Sequence, residues 1–96
     1  MTEEEKTNKE SALDHIRRNL SKLTDKEKRA ASYLLRKPSE VSNSVISEYA
    51  RASGVSDGTI VRLAQKLGYK GFSELKRELI VHLAEGSDLE ASKIAL

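Results

Sequence analysis

Residues 44–68 read SVISEYARASGVSDGTIVRLAQKLG, and the fold turns on this stretch. Ile46, Tyr49 and Ala50 fall on one side of a helix of about two turns, because positions three and four apart share a face. Gly54 stops that helix as a left-handed C-terminal cap, a backbone state that glycine enters without a Cβ clash. Val55 follows the turn, and Ser56 is placed to cap the start of a second helix. Inside it Ile60, Leu63, Ala64 and Leu67 share an arc of roughly 100°, Arg62 faces away, and Gly68 ends the helix. Small Ala50 lets two helices cross closely, Val55 plugs the gap between them, and Ile60 and Leu63 anchor the second on the first. The spacing predicts a helix-turn-helix; an ordinary helical hairpin is the alternative that it leaves open.

Upstream, Thr24-Asp25-Lys26-Glu27 has the form of a reciprocal capping box, with Thr24 and Glu27 each bonding the other's backbone amide. The helix that it starts buries Ala30, Ala31, Leu34 and Leu35 and turns Arg29 and Arg36 outward. Pro38 closes that helix and can begin a short one through Glu40 and Val41. Further upstream, Leu13, Ile16 and Leu20 form one apolar stripe after a weak cap at Ser11. Residues 1–10 hold no apolar side chain beyond Met1 and read as a disordered arm.

Downstream, Tyr69-Lys70-Gly71 is a connector. Phe72, Leu75, Leu79 and Leu83 then make the stripe of a last helix, which leaves Ile80 and Val81 off it. Those two are either scattered surface residues or a face that a partner covers. Residues 85–96 read as a linker or short helix. The chain stops in Lys93-Ile94-Ala95-Leu96 with no capping signal, which is read as the edge of a fragment. The expectation is an all-α fold, a small bundle of about five to six helices containing a homeodomain-like helix-turn-helix over residues 11–84.

Composition narrows the chemistry. Leu, Ile, Val and Phe supply 23 of 96 residues, enough for a thin core and little more. There is no cysteine, hence no disulfide and no thiolate metal site, and neither export signal nor membrane-spanning run stands out. A cytoplasmic protein without cofactor or metal is expected. The two histidines, His15 and His82, read as surface or boundary residues, and no glycine-rich phosphate cradle is present. Catalysis therefore has no residues to carry it. The net charge is +2, but residues 15–37 hold eight cations against Asp25 and Glu27 while both ends of the chain are acidic.

Binding to double-stranded DNA asks for less: a helix that fits the major groove, long side chains for base edges, and donors for phosphates. The second helix offers Asp57, Gly58, Val61, Arg62 and Gln65 on its outer face. Gly58, Arg62 and Gln65 form one stripe, in which Arg62 can pair with guanine and Gln65 with adenine. Ser56 and the free amides at the helix start can hold a phosphate, and Lys66, Lys70 and Lys76 are candidates for flanking phosphates. The bland alternative is that Arg62 and Gln65 are solvent-facing helix formers.

Two blocks in order, Ala50-x-x-x-Gly54-Val55-Ser56-x-x-Thr59-Ile60-Val61-Arg62-Leu63 and Leu67-Gly68-Tyr69-Lys70-Gly71-Phe72-x-Glu74-Leu75-Lys76, resemble the N-terminal domain of RpiR/MurR-type transcriptional regulators. The likeness covers roughly residues 15–83. It implies that Ser56, Thr59 and Arg62 belong to the recognition helix, and Lys70 and Lys76 to the basic connector and the helix after it. It also implies a homo-oligomeric protein, a dimer or larger, that regulates sugar metabolism. A phosphosugar effector would bind a C-terminal domain beyond these residues. Three positions depart from the pattern: Val45 stands where a capping Ser or Thr is usual, with Ser44 a substitute cap; Tyr49 replaces a leucine; and Gly58 removes a side chain from the reading face. Pairing is expected through Ile80 and Val81, and through the first helix near Leu13 and Ile16. A helical interaction or dimerisation module without DNA readout is the competing function.

Overall fold

The structure is a computed structural model that describes residues 12–95, with side chains through Ala84. The expected arm over residues 1–10 and the cap at Ser11 lie outside the described residues. Among the described residues six α-helices follow one another: α1 (Ala12–Arg18), α2 (Asp25–Arg36), α3 (Pro38–Ser42), α4 (Ile46–Ser53), α5 (Asp57–Lys66) and α6 (Phe72–Ala95). A 3-10 turn, Leu20–Lys22, joins α1 to α2, so Leu20 leaves the α-helix yet still packs on the core. No strand occurs among the described residues.

Each helix start has a visible cause. At α2 both halves of the capping box form: the Glu27 amide donates to Thr24 Oγ1 at 3.2 Å, and the Thr24 amide donates to Glu27 Oε1 at 2.9 Å. Pro38 occupies the first turn of α3. Val45 has no side-chain acceptor, so α4 is capped from one side only, by the Val45 amide donating to Glu48 Oε1 at 3.2 Å. The expected substitute cap at Ser44 does not form. Its hydroxyl turns back to close α3, donating to the Glu40 carbonyl at 2.5 Å. A related bond forms one residue further out at α6, where Glu74 accepts from the Lys70 amide at 2.7 Å. Gly86 does not interrupt α6, which continues to Ala95 as one helix. A glycine inside a helix costs only about 0.5–1 kcal/mol relative to alanine, too little to stop one by itself.

One core joins these elements. Ala30, Ala31 and Leu34 of α2 meet Ile60, Leu63 and Ala64 of α5, and Leu75 and Leu79 of α6 close the far side. Ile16 and Val41 complete the cluster, both fully buried. Helix α2 packs on α4 and α5, α3 and α1 pack on α6, and α4 packs on α5. The centre is Tyr49, fully buried, its hydroxyl donating to the Ala30 carbonyl at 2.7 Å. Its ring lies 5.6 Å from Phe72 and 6.1 Å from Tyr33, centroid to centroid. A leucine would fill most of that volume but could not tie α4 to the backbone of α2. Burial, helped by the nearby Tyr33, pushes the Tyr49 phenol well above its ordinary range. Of the stripe expected to help in pairing, Ile16 is fully buried in this core and Leu13 is half-buried.

Candidate nucleic-acid interface

Helices α4 and α5 meet through a turn at Gly54, whose φ of 76° and ψ of 32° are left-handed. The Val55 amide donates to the Ala50 carbonyl at 2.9 Å, which closes the first helix. Ser56 then caps α5: its hydroxyl accepts from the Thr59 amide at 3.2 Å and lies 3.1 Å from the Thr59 hydroxyl. At the other end Gly68, with φ of 97°, turns the chain out, and the Tyr69 amide donates to the Ala64 carbonyl at 2.9 Å. The second helix is thus fixed at both ends, with Ile60, Leu63 and Ala64 fully buried beneath it.

What remains on top is the face that the sequence pointed to. Ser56, Asp57, Gly58, Arg62 and Gln65 are exposed and Val61 is half-exposed. Arg62 lies folded back along the helix, and a Cβ placed on Gly58 would stand 3.7 Å from its Nη1. The missing side chain at Gly58 thus leaves room for the guanidinium over the first turn. Thr59 is not on this face. It sits four residues before Leu63, so it turns inward, 3% exposed, and serves the cap.

The lysines divide. Lys70 is exposed on the connector. Lys66 Nζ donates to Glu27 Oε1 at 2.8 Å and pins the end of α5 to the start of α2. Lys76 Nζ donates to the Ser44 carbonyl at 2.8 Å and stands over the Phe72 ring, so it ties α6 to the loop before α4. Both therefore have work inside the fold. Burial alone would push the Glu27 carboxyl up; the bonds from Lys66 and from the Thr24 amide and hydroxyl outweigh it and hold the carboxyl below the usual carboxylate range.

Sequence reasoning missed three residues here. Glu27 was read only as a cap, although it lies on the same arc as Ala30, Ala31 and Leu34; a charge on an apolar stripe is a sign that a partner exists. His15 reads from the sequence as a surface or boundary residue, which gives no hint of its long-range bond. It is half-buried, its Nε2 donates to the Leu67 carbonyl at 2.6 Å, and its ring meets Tyr69 edge-on at 6.2 Å. No signal could have found that bond, since one of its partners is backbone. Arg29 was placed only on an outer face, and its side chain comes within 4.0 Å of a Cβ built on Gly54, against the turn of the motif. Among the described residues no group of three or more His, Cys, Asp or Glu side chains could hold a metal, and no helix is long and apolar enough to cross a membrane.

A family model described as the helix-turn-helix domain of the rpiR family matches residues 10–86. The chain belongs to that family. An HTH-type transcriptional regulator of Haemophilus influenzae is 38% identical to the rpiR-family domain over 82 residues, 85% of this chain and 28% of that protein. The HTH-type transcriptional regulator HexR of Pseudomonas aeruginosa is 30% identical over 83 residues, 86% of this chain and 29% of HexR. The chain thus spans under a third of the length of these relatives. Among solved structures, the N-terminal domain of the putative transcriptional regulator ybbH of Bacillus subtilis superposes with a TM-score of 0.73 at 33% identity, covering 76% of this chain and 89% of that one. The Vibrio vulnificus NanR protein complexed with ManNAc-6P gives 0.75 at 31% identity, covering 85% of this chain and 32% of that one. The all-α helix-turn-helix reading and the family resemblance both hold, and the relatives are regulators with a helix-turn-helix, which implies DNA binding; no enzyme family is indicated.

Proposed function

We propose that this rpiR-family domain binds double-stranded DNA sequence-specifically, with α5 in the major groove. The observation that carries the reading is the two-sidedness of α5. Its inner residues are locked into the core, while Arg62 and Gln65 stand exposed on a helix capped at Ser56. Arg62 reads a base from this face, and Gln65 reads a second. Ser56, Asp57, Gly58 and Val61 line the close approach. Lys70 holds a flanking phosphate, and Lys66 and Lys76 act by orienting α5 and the loop before α4. Selection of duplexes from a random library tests the reading: a shared motif should emerge with the wild-type chain, and its absence would refute sequence-specific binding.

The regulated process in this proposal is sugar or phosphosugar metabolism, and the effector is a phosphosugar held by a C-terminal domain beyond these residues. The support is the similarity to NanR, whose structure holds ManNAc-6P, and to HexR. The interaction-module reading has one observation in its favour, Ile80 and Val81 on α6, exposed by 47% and 46%. These two make pairing of two copies part of the proposal, as a way for each copy to engage one of two half-sites.

A further inference from the structure

We propose that Arg29, on α2 and outside the helix-turn-helix, contacts a DNA backbone phosphate at the rim of the groove that α5 enters. The inference rests on the DNA-binding reading and extends its footprint to a third helix. Three observations carry it. Arg29 is exposed and its side chain lies beside the turn of the motif, with Cδ and Nη1 each 4.0 Å from where a Cβ on Gly54 would stand. Gly54 stands two residues before Ser56, and Arg62 lies over Gly58 two residues after it, so the two guanidiniums lie beside residues on either side of the α5 cap in the chain. Finally, ion pairs of the fold belong to other cations: Lys66 has Glu27, Lys37 has Glu40 and Arg17 has Asp14. Among the described residues no carboxylate lies within ion-pair distance of Arg29.

An exposed arginine beside the turn of the motif, without a counter-ion, suits a phosphate. The planar fork donates two bonds to it at once. Helix α2 also lies in the stretch with the densest positive charge, residues 15–37. The Glu27–Lys66 bond fixes the start of the same helix on the end of α5, so Arg29 keeps its place relative to Arg62.

The test is the affinity of the 96-residue chain for a ~30-base-pair duplex of mixed sequence, by fluorescence anisotropy from about 50 to 200 mM KCl. Wild type, Arg29→Ala, Arg29→Lys and Arg62→Ala are compared, with melting curves to confirm equal folding. Arg29→Ala should bind roughly three- to tenfold more weakly at low salt and lower the slope of log K against log [KCl] by about 0.9. Arg29→Lys keeps the charge and should restore the slope. If wild type binds with a steep salt dependence and Arg29→Ala keeps both slope and affinity, the phosphate contact is wrong while DNA binding stands. A wild-type chain without salt-dependent affinity for any duplex would overturn both.

Discussion

Arg62 and Gly58 form one unit on the reading face. The guanidinium rests where a side chain at 58 would project, so the two positions divide the work of reaching bases and admitting backbone. Arg62→Ala should cost about 1–3 kcal/mol on the preferred duplex and relax preference at one base pair. Equal loss on every sequence, measured by competition, would make Arg62 a phosphate contact instead. Gly58→Ala separates stability from binding. The new methyl meets Arg62 at 3.7 Å, an ordinary contact, so the fold should gain about 0.5–1 kcal/mol in thermal or urea melts. Affinity for the selected duplex should fall, because the methyl occupies the space of the close approach. Both positions were legible in the sequence, since a helical wheel suffices to place residues 58 and 62 opposite Ile60 and Leu63. Thr59 was not: a linear motif groups it with its neighbours, and only the packed helix turns it inward.

At the level of the helices, α2 organises the motif more than its sequence announced. Its capping box was readable, yet the same Glu27 carboxylate also accepts from Lys66, 39 residues away. Pairing across that distance leaves no local pattern, and so the roles of Lys66 and Lys76 inside the fold stayed hidden. The Glu27 carboxyl is held low in the folded chain, so it binds fewer protons there than in the unfolded one. The stability that it contributes is therefore full above the ordinary carboxylate value of about 4.3, and is lost as pH falls through the lower folded value. Glu27→Gln should cost roughly 1–2 kcal/mol at pH 7, a modest figure because Lys66 is 40% exposed and water screens the pair. The gap between variant and wild type should narrow in urea titrations as pH falls below about 4. A constant gap from pH 7 to 3 would mean that the charge on Glu27 contributes nothing.

For the whole molecule the open face is that of α6. Ile80 and Val81 point away from a core that Leu75 and Leu79 already complete. A single helix-turn-helix reads few base pairs, and paired domains on half-sites ~34 Å apart are the common remedy. Sedimentation of the chain should show weak self-association at high micromolar concentration, which Val81→Glu removes without lowering the melting temperature. Strict monomers at that concentration would assign pairing elsewhere. The order of the helices and their buried faces could be read from periodicity and caps, because those signals are local. The contacts that bring the ends of the bundle together could not. The His15 bond to the Leu67 carbonyl spans 52 residues of sequence. Such a closure requires a large loop to be ordered before any contact rewards it, so α1 should dock late in folding, after α2 to α5 have assembled from shorter-range contacts. In the native state the same helix should open first, exchanging its amide protons with solvent sooner than those of α5 while the motif beneath it stays closed.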